Sequence, residues 1–505
     1  MLTETKISNL IDKIAEASNK LRSKKKAEGK KPKEKTTYSN SKCQYETIEE
    51  EQKERREIIK EHLKIYQNIF PDLIEGFKEI KDPRNPNKIE HKLISAFIYG
   101  MFIYILKIPS RRQANKILTR PQFMENVNII FPELEDIDDL PHGDTVDRIL
   151  SKIDIEKIQQ IHIKIIKGLI KNKTFEKYKT TNGYMINIDG TRKFSSEYPF
   201  SKKALKRDKS TNNGKKTEYY VYILEANITF ECGVSIPLLT EFCEFSKGNF
   251  ENNKQDCEIT AFKRLASKLK SYFPRLRISL NLDGLYPSGP IFRICREKNW
   301  GFMITLPDDK LKEVWCEGLA RKDLINNNTH DNLEGDREQH FWWVNDIEYR
   351  YENGQKKEVV NLVVCEEIWE EVNEDGEIEK KTKKFAWISS KPINKHNVTI
   401  RCNKIARSRW FIEEEIDIEK NHGYNSEHLY SKNWKAMKGF HYLMRIVRLI
   451  EVLCYCSYKI YEKIKSIGII GVVKLFTETL TVKSLDKDEI TTFLKKDHYM
   501  QLAWL

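Results

Sequence analysis

Residues 184–191 read YMINIDGT, the first stretch of the chain in which apolar and polar side chains alternate. Alternation with a period of two indicates a β-strand with one buried face. Upstream, from Glu46 to Lys179, apolar residues instead recur three and four positions apart, which indicates helices. The change at this point therefore predicts that an all-helical N-terminal domain, residues 46–180 and a candidate DNA-binding module, ends where a sheet begins.

The segments after this strand predict the order of the elements in the sheet. Three strands are expected at residues 184–191, 218–230 and 233–242, followed by a helix at 256–273, a strand at 277–284, a helix at 291–299 and a strand at 301–307. Strands that give way to alternating helices and strands indicate an α/β fold with helices flanking a mixed sheet. We therefore predict that residues 181–307 form the first part of an α/β core.

The pattern changes twice more toward the C-terminus. Residues 308–397 contain β-like runs with the turn sequences ENG and EDG, which indicate hairpins. The helical pattern then returns, so we predict a β-rich insertion at 308–397 and a core helix with a helical C-terminal region at 398–505. Five tryptophans of this part of the chain either fill a small β core or stack on nucleic-acid bases: Trp315, Trp342, Trp343, Trp369 and Trp387.

The composition describes a basic protein with enough apolar residues for folded cores. Of the 505 residues, 39% are hydrophobic and 32% charged, which excludes an intrinsically disordered chain. The net charge of +13 favours an anionic partner such as a nucleic acid. A lysine-rich run at about residues 20–36 has no apolar periodicity, so we predict a basic, partly disordered N-terminal arm over residues 1–45.

Two apolar stretches, residues 93–106 and 439–461, resemble membrane spans but are expected to be buried helices. The first is too short to cross a bilayer, and Arg445, Arg448 and Glu451 interrupt the second. The N-terminus lacks the apolar core of a signal peptide, and the ten cysteines form no CxxC pair. These features predict a cytoplasmic protein without a membrane partner and argue against a zinc ribbon.

Two predicted strands end on a carboxylate that is followed by glycine. Asp189 precedes Gly190, and Asp283 precedes Gly284. A carboxylate at the end of an apolar strand is costly to desolvate unless it is hydrogen-bonded or binds a metal ion. Glycine lets the backbone turn sharply or lets a ligand approach closely. The two positions are therefore candidate metal ligands, although Asp-Gly is also a common turn dipeptide.

A third acidic candidate lies in the helix predicted near the C-terminus. Arg409, Glu413 and Lys420 are spaced four and seven residues apart, which places them on one helical face. Such a face is either a solvent-exposed ladder of ion pairs or a catalytic glutamate between two cations. Glu414 and Glu415 are the neighbouring acids that could take the same role.

The spacing Arg409, Glu413, Lys420 resembles the R, three residues, E, six residues, K signature of bacterial insertion-sequence transposases of the DDE class. Their catalytic core is ribonuclease H-like, with one Asp on the first strand, a second at the end of the fourth strand and the Glu on a later helix. A large branch carries a β-rich insertion before the Glu. The full signature begins with Tyr three positions before the Arg, where this chain has Ala406.

Further stretches that are similar to the family extend the resemblance over about residues 80–455, including DPRNPNKIEHKLISAFIYGMF (82–102), KQDCEITAFKRLASKL (254–269) and KNHGYNSEHLY (420–430).

The resemblance implies a DNA transposase, an endonuclease and strand transferase that moves an insertion sequence by DNA transposition, a form of DNA recombination. It implies that Asp189, Asp283 and Glu413 are catalytic and bind two Mg²⁺ ions, for which Mn²⁺ substitutes. It assigns Arg409 and Lys420 to DNA phosphates. The implied partners are double-stranded DNA, as element ends and target, and a second copy of the chain in a homodimer.

Two other functions remain open for the same residues. A ribonuclease H-like nuclease would hydrolyse nucleic acid without transferring strands, and a domesticated transposase would bind DNA without cutting it. The signature with Lys420 and the long insertion favour the transposase over the nuclease. Retention of all three acids favours it over the silent DNA-binding protein.

Overall fold

The computed structural model describes residues 4–31, 45–131, 139–180, 183–211, 214–244, 257–322, 324 and 327–503. The chain divides into two units, each made of two segments. The first unit comprises Met1–Thr37 and Arg277–Arg409, and the second comprises Tyr38–Leu276 and Trp410–Leu505. Helices and strands occur in both, and the fold is a mixed α/β fold with a mixed sheet and flanking helices.

The helices, in chain order, are α1 (Glu4–Ala27), α2 (Ile48–Lys78), α3 (Leu93–Ile105), α4 (Arg111–Ile117), α5 (Pro121–Ile130), α6 (Gly143–Leu150), α7 (Glu156–Lys171), α8 (Glu258–Tyr272), α9 (Gly289–Glu297), α10 (Lys312–Lys322), α11 (Trp410–Asn421), α12 (Trp434–Tyr455), α13 (Tyr458–Val482) and α14 (Lys487–Leu494). The strands are β1 (Tyr184–Ser196), β2 (Leu205–Thr211), β3 (Gly214–Thr229), β4 (Ser235–Cys243), β5 (Ile278–Leu282), β6 (Gly301–Thr305), β7 (Thr329–Glu334), β8 (Arg337–Tyr351), β9 (Lys356–Val372) and β10 (Ile378–Ser389). A π-helix at Ile400–Ile405 and a 3-10 helix at Ala406–Arg409 precede α11.

In the second unit, β3 is the central strand, and β1, β2 and β4 each pair with it in antiparallel fashion. This strand pairs with β1 on one side and, on its other side, with β2 along its first half and β4 along its second half. Helices α7, α8 and α12 pack against β4. These three helices therefore cover the sheet at β4.

The two apolar stretches predicted to be buried helices are α3 and α12. Every residue of α3 from Ile94 to Ile105 is buried, and so is every residue of α12 from Gly439 to Cys454. This confirms the prediction of a buried helix for the first stretch and for residues 439–454 of the second, whereas the end of the second stretch belongs to α13, where Tyr458 is exposed. Within the described parts of the chain, no helix is both long and apolar enough to cross a membrane.

In the first unit, the strand order is β5, β6, β10, β9, β8, β7. β5 and β6 are parallel, and the later neighbours pair antiparallel. The segment predicted as a β-rich insertion forms the hairpins of β7 to β10, together with helix α10, which the sequence patterns do not indicate. Four of the five tryptophans noted above are buried here, namely Trp315, Trp342, Trp343 and Trp387.

The N-terminal segment differs from the predicted arm. Residues from Glu4 to Ala27 form α1, which packs against β9. Its lysines bind acids of the first unit, with Lys24 Nζ 2.8 Å from the Glu370 carboxylate and Lys25 Nζ 2.6 Å from that of Asp336. A lysine-rich helix is stable at this position because its cations meet a matching acidic edge. Residues 32–44 of the predicted arm lie outside the described residues.

A buried histidine in α2 predicts a loss of stability in acid. His62 Nδ1 donates a 2.8 Å hydrogen bond to the Ile58 carbonyl oxygen, and the ring stacks on Phe476 with ring centroids 4.2 Å apart. Burial lowers the pKa of His62 to about 4, whereas an unfolded chain has a value of about 6.5. Between these pH values the unfolded chain binds a proton that the folded chain excludes, so this stability is complete above pH 6.5 and is lost as the pH falls toward 4.

We therefore expect the free energy of unfolding to decrease between pH 6.5 and 4, with His62 contributing at most about 3 kcal/mol. The variant His62→Phe keeps an aromatic ring against Phe476 and removes the titrating group. Urea denaturation at several pH values should show a shallower pH dependence for the variant. Equal slopes for variant and wild type would contradict this assignment.

Candidate active site

Asp189 lies on β1 of the second unit and is half-buried. Its Oδ1 accepts a hydrogen bond of 2.8 Å from the backbone nitrogen of Gly190. In the β1–β3 register Asp189 is directly opposite Glu225, and directly opposed residues point to the same face of a sheet. The carboxylate of Asp189 is therefore on the face of β1 that carries the Glu225 side chain.

The opposite face of β1 is closed at this position. A Cβ atom on Gly190 would overlap the Tyr222 hydroxyl and the carboxyl group of Glu258, the first residue of α8. The Tyr222 hydroxyl donates a 2.7 Å hydrogen bond to Glu258 Oε2. Burial, together with the charges of Glu258 and Asp189, raises the pKa of Tyr222 and keeps it a donor. Glycine follows Asp189 because a side chain at that position has no room.

Glu413 lies in the first turn of α11, which packs against β1, and its side chain is exposed. The next acid, Glu414, is also exposed and lines a cavity of about 940 Å³ in the second unit. Glu415 is buried in a two-pronged ion pair with Arg448, with Nε–Oε1 2.5 Å and Nη2–Oε2 2.7 Å. Of the three consecutive glutamates, Glu415 is therefore committed to a structural ion pair.

Arg409 and Lys420 flank Glu413 along the chain. Lys420 is half-buried, and its Nζ lies 2.9 Å from Oε1 of the exposed Glu427. Arg409 is half-buried and ends the 3-10 helix before α11. Because ion pairs with exposed partners contribute little free energy, Lys420 can exchange Glu427 for another anion at small cost.

Asp283 belongs to the first unit, so the three predicted carboxylates are divided between the two units. It directly follows β5 and is half-buried, and its Oδ1 accepts a 2.8 Å hydrogen bond from the Leu285 nitrogen. Two residues earlier, the buried Asn281 Nδ2 donates to the Ile405 carbonyl and to Ser408 Oγ, both at 2.9 Å. β5, which ends directly before Asp283, is thereby hydrogen-bonded to the segment that ends at Arg409.

A buried ionic network joins α11 to the strand pair that holds Asp189. Arg445 of α12 donates from Nη1 to Glu419 of α11 at 2.6 Å and to Glu225 of β3 at 2.9 Å. Its Nη2 lies 2.5 Å from Oδ1 of Asn227, the second polar residue of β3 on this face. All four side chains are buried. The guanidinium group of Arg445 therefore fixes the helix that carries Glu413 against β3, the partner strand of β1.

Burial raises the pKa of the Glu225 and Glu419 carboxyl groups, and the charge of Arg445 opposes this effect. The same two acids raise the pKa of Arg445, which stays protonated. A charge-assisted network of this kind is rigid because leaving any member unpaired in the interior is costly.

A second buried cation of this face is Lys193, which lies at a β-bulge of β1 between Arg192 and Phe194. Its Nζ donates a 2.6 Å hydrogen bond to the Ser426 carbonyl oxygen. Burial lowers the pKa of Lys193 to about 8, although Glu225 and Glu419 oppose this shift. Bulges redirect side chains and are frequent next to active sites.

The sequence patterns did not identify Arg445, Glu225, Glu419 or Lys193 as part of the candidate site. One signal was present, because a charged residue inside an apolar helix such as α12 requires a buried partner. The identity of that partner could not be inferred, since Glu225 is 220 positions away from Arg445 along the chain.

Within the described residues, no three His, Cys, Asp or Glu side chains are grouped closely enough to hold a metal ion. No known family model matches the chain, and no curated protein matches it.

Proposed function

We propose that the protein is a DDE transposase, a metal-dependent enzyme that cleaves DNA at the end of an insertion sequence and joins the end to a target. The observation that carries this proposal is the packing of α11 against β1. Glu413 and Asp189, more than 200 residues apart in the chain, lie on two elements that are in contact and tied by Arg445 through β3. Two other acids of α11 are held in buried ion pairs, Glu415 with Arg448 and Glu419 with Arg445.

We infer that the core is ribonuclease H-like. Support comes from the order of elements: three antiparallel strands (β1, β3 and β4), then α8, β5, α9 and β6, with β5 and β6 parallel. β2 is an addition to this order. A β-rich segment, β7 to β10, precedes the helix with the candidate glutamate, as in the branch of transposases that the sequence resembles.

The donor chemistry of the candidate residues fits Mg²⁺. Asp189, Asp283 and Glu413 offer only carboxylate oxygens, which are the ligands that Mg²⁺ prefers, and neither thiolate nor imidazole is part of the set. Asp189, Asp283 and Glu413 would together hold the two ions. When bound, such ions activate a water or a DNA 3′-hydroxyl and stabilise the leaving oxygen in a phosphoryl displacement.

The chain's own residues hold and orient the DNA. Arg409 binds a phosphate with two parallel hydrogen bonds, which its planar guanidinium group permits. Lys420 exchanges Glu427 for a second phosphate. Arg445 remains buried and keeps α11 in position through Glu419, and Lys193 remains buried against the Ser426 carbonyl oxygen. Since two element ends have to be joined to one target, we propose that the active form is a dimer on double-stranded DNA.

A strand-transfer assay tests this proposal. The purified protein is incubated with a labelled duplex that carries the end of its element and with a supercoiled target, in Mg²⁺, in Mn²⁺ and in a chelator. We expect nicked and joined products with either metal and none with the chelator. Inverted repeats on both sides of the gene should supply the sequence of the end.

The same assay separates the other two functions. Hydrolysis of the labelled strand without joined product would indicate a ribonuclease H-like nuclease. Binding of the duplex without any cleavage would indicate a domesticated, catalytically silent protein. Either result would contradict the proposed transposase.

A further inference from the structure

A strongly basic hairpin follows the strand that carries Asp189. From Arg192 to Glu218 the chain contains nine Lys or Arg residues and three acids, a net charge of +6, against +13 for all 505 residues. Fewer than thirty residues therefore hold almost half of the net positive charge. Such a local excess creates a potential that attracts polyanions.

The distal part of this hairpin projects beyond the sheet of the second unit. β1 pairs with β3 only as far as Ser196, which lies opposite Tyr219. The preceding residues of β3, from Gly214 to Glu218, pair with β2 alone. We call the two segments Arg207–Thr211 and Gly214–Glu218 the basic ribbon. A ribbon of two strands has the width that the major groove of DNA admits.

One face of the basic ribbon carries three exposed cations. Arg207, Lys209 and Lys216 have side chains that are 48%, 46% and 54% exposed. Lys209 is directly opposite Lys216, and Arg207 is directly opposite Glu218, so all three cations lie on the same face. Successive positions on that face of β2 are about 6.6 Å apart. The cations are thus presented as a row along the ribbon.

The ribbon does not neutralise this row by itself. Glu218 takes ion pairs from both Arg207 and Lys209, and Lys216 reaches Glu197 at 3.3 Å. Like charges opposite each other destabilise a strand pair, which applies to Lys209 and Lys216. An anion bound across the two lysines removes this repulsion. Arg207 is held in place by its position over the Tyr220 ring, 5.5 Å from the centroid.

We propose that the basic ribbon binds the phosphate backbone of double-stranded DNA and adds contacts outside the candidate active site. The inference rests on the proposed function, because it specifies a surface for the same DNA. Phosphate contacts carry no sequence information, so the ribbon positions DNA of any sequence. Their contribution decreases steeply with salt concentration because binding releases counterions.

The test uses fluorescence anisotropy of a labelled duplex of mixed sequence, titrated between about 50 and 200 mM salt. The ribbon variant is Arg207→Gln, Lys209→Gln and Lys216→Gln combined. The matched control is Arg350→Gln, Lys356→Gln and Lys357→Gln combined, which removes the same charge from another exposed hairpin end, where Arg350 lies opposite Lys357. There Glu348 pairs with Arg350 and Lys357, and Glu352 pairs with Lys356.

We expect the ribbon variant to bind roughly 10- to 100-fold more weakly at low salt and to reduce the salt slope by about two to three units, one for each lost phosphate contact. The control should bind as wild type does. Equal binding by the ribbon variant, or equal weakening by the control, would overturn the inference. If the wild type cleaves and joins DNA while the ribbon variant binds the duplex normally, the proposed role of the basic ribbon is contradicted and the transposase function stands. If the wild type binds no duplex, both the role of the ribbon and the proposed transposase function are contradicted.

Discussion

Glu413→Gln should abolish metal-dependent nicking while leaving DNA binding intact. The substitution removes a charge from an exposed side chain at the start of α11 without changing the size of that side chain. Loss of one carboxylate ligand costs several kcal/mol of transition-state stabilisation, which corresponds to at least about a 1,000-fold decrease in rate. Single-turnover cleavage of a labelled element end measures this decrease.

The two following glutamates supply matched controls on the same helix. Glu414→Gln also changes an exposed acid, one position away, and should alter the rate by less than about twofold. Glu415→Gln breaks the buried ion pair with Arg448, so we expect a loss of about 3 kcal/mol of stability with activity retained below the unfolding transition. If Glu414→Gln abolished cleavage and Glu413→Gln did not, the glutamate would be misassigned by one position.

The second large effect is expected at Arg445. Replacing it with methionine leaves Glu225 and Glu419 buried without their shared cation, so the free energy of unfolding should fall by about 3 to 5 kcal/mol. Urea denaturation measures this loss. Arg350→Met, at an exposed pair with Glu348, is the control and should change stability by less than about 1 kcal/mol.

A triple variant, Arg445→Met with Glu225→Gln and Glu419→Gln, separates stability from positioning. Removing all three charges should restore part of the stability, because neither carboxylate is left in the interior without its cation, while the buried Lys193 keeps its hydrogen bond to the Ser426 carbonyl oxygen. Cleavage should stay low, since α11 is no longer held against β3 by a charged network. Full recovery of both stability and cleavage would show that the network has no part in positioning Glu413.

The strands that position the two aspartates were predictable because apolar and polar residues alternate along each of them up to the aspartate. β1 begins at Tyr184 as expected, and β5 ends at Leu282, directly before Asp283. β1 continues to Ser196 past the predicted end because a bulge at Lys193 interrupts its alternation. The buried helices α3 and α12 were predictable because apolar runs of that length have to be shielded from water by the rest of the fold.

Other features depend on partners that are distant in sequence. β2 has the sequence LKRDKST, and it forms a strand because it pairs with β3, without an apolar face of its own. Likewise, α1 is lysine-rich and is held by acids more than 300 positions away, such as Glu370. Three consecutive acids, Glu413, Glu414 and Glu415, were candidates for the catalytic glutamate. The sequence does not distinguish them, whereas the structure shows that Glu415 is buried and that the other two are exposed.

The most direct test of the account compares wild type with Asp189→Asn and Asp283→Asn on a duplex that carries the element end, in Mg²⁺. Each variant should bind the duplex as wild type does and lose both nicking and joining, by at least about 1,000-fold. Asp488→Asn changes an exposed acid in the first turn of α14 and should cleave normally. Cleavage at the wild-type rate by Asp189→Asn or Asp283→Asn would contradict the proposed carboxylate triad.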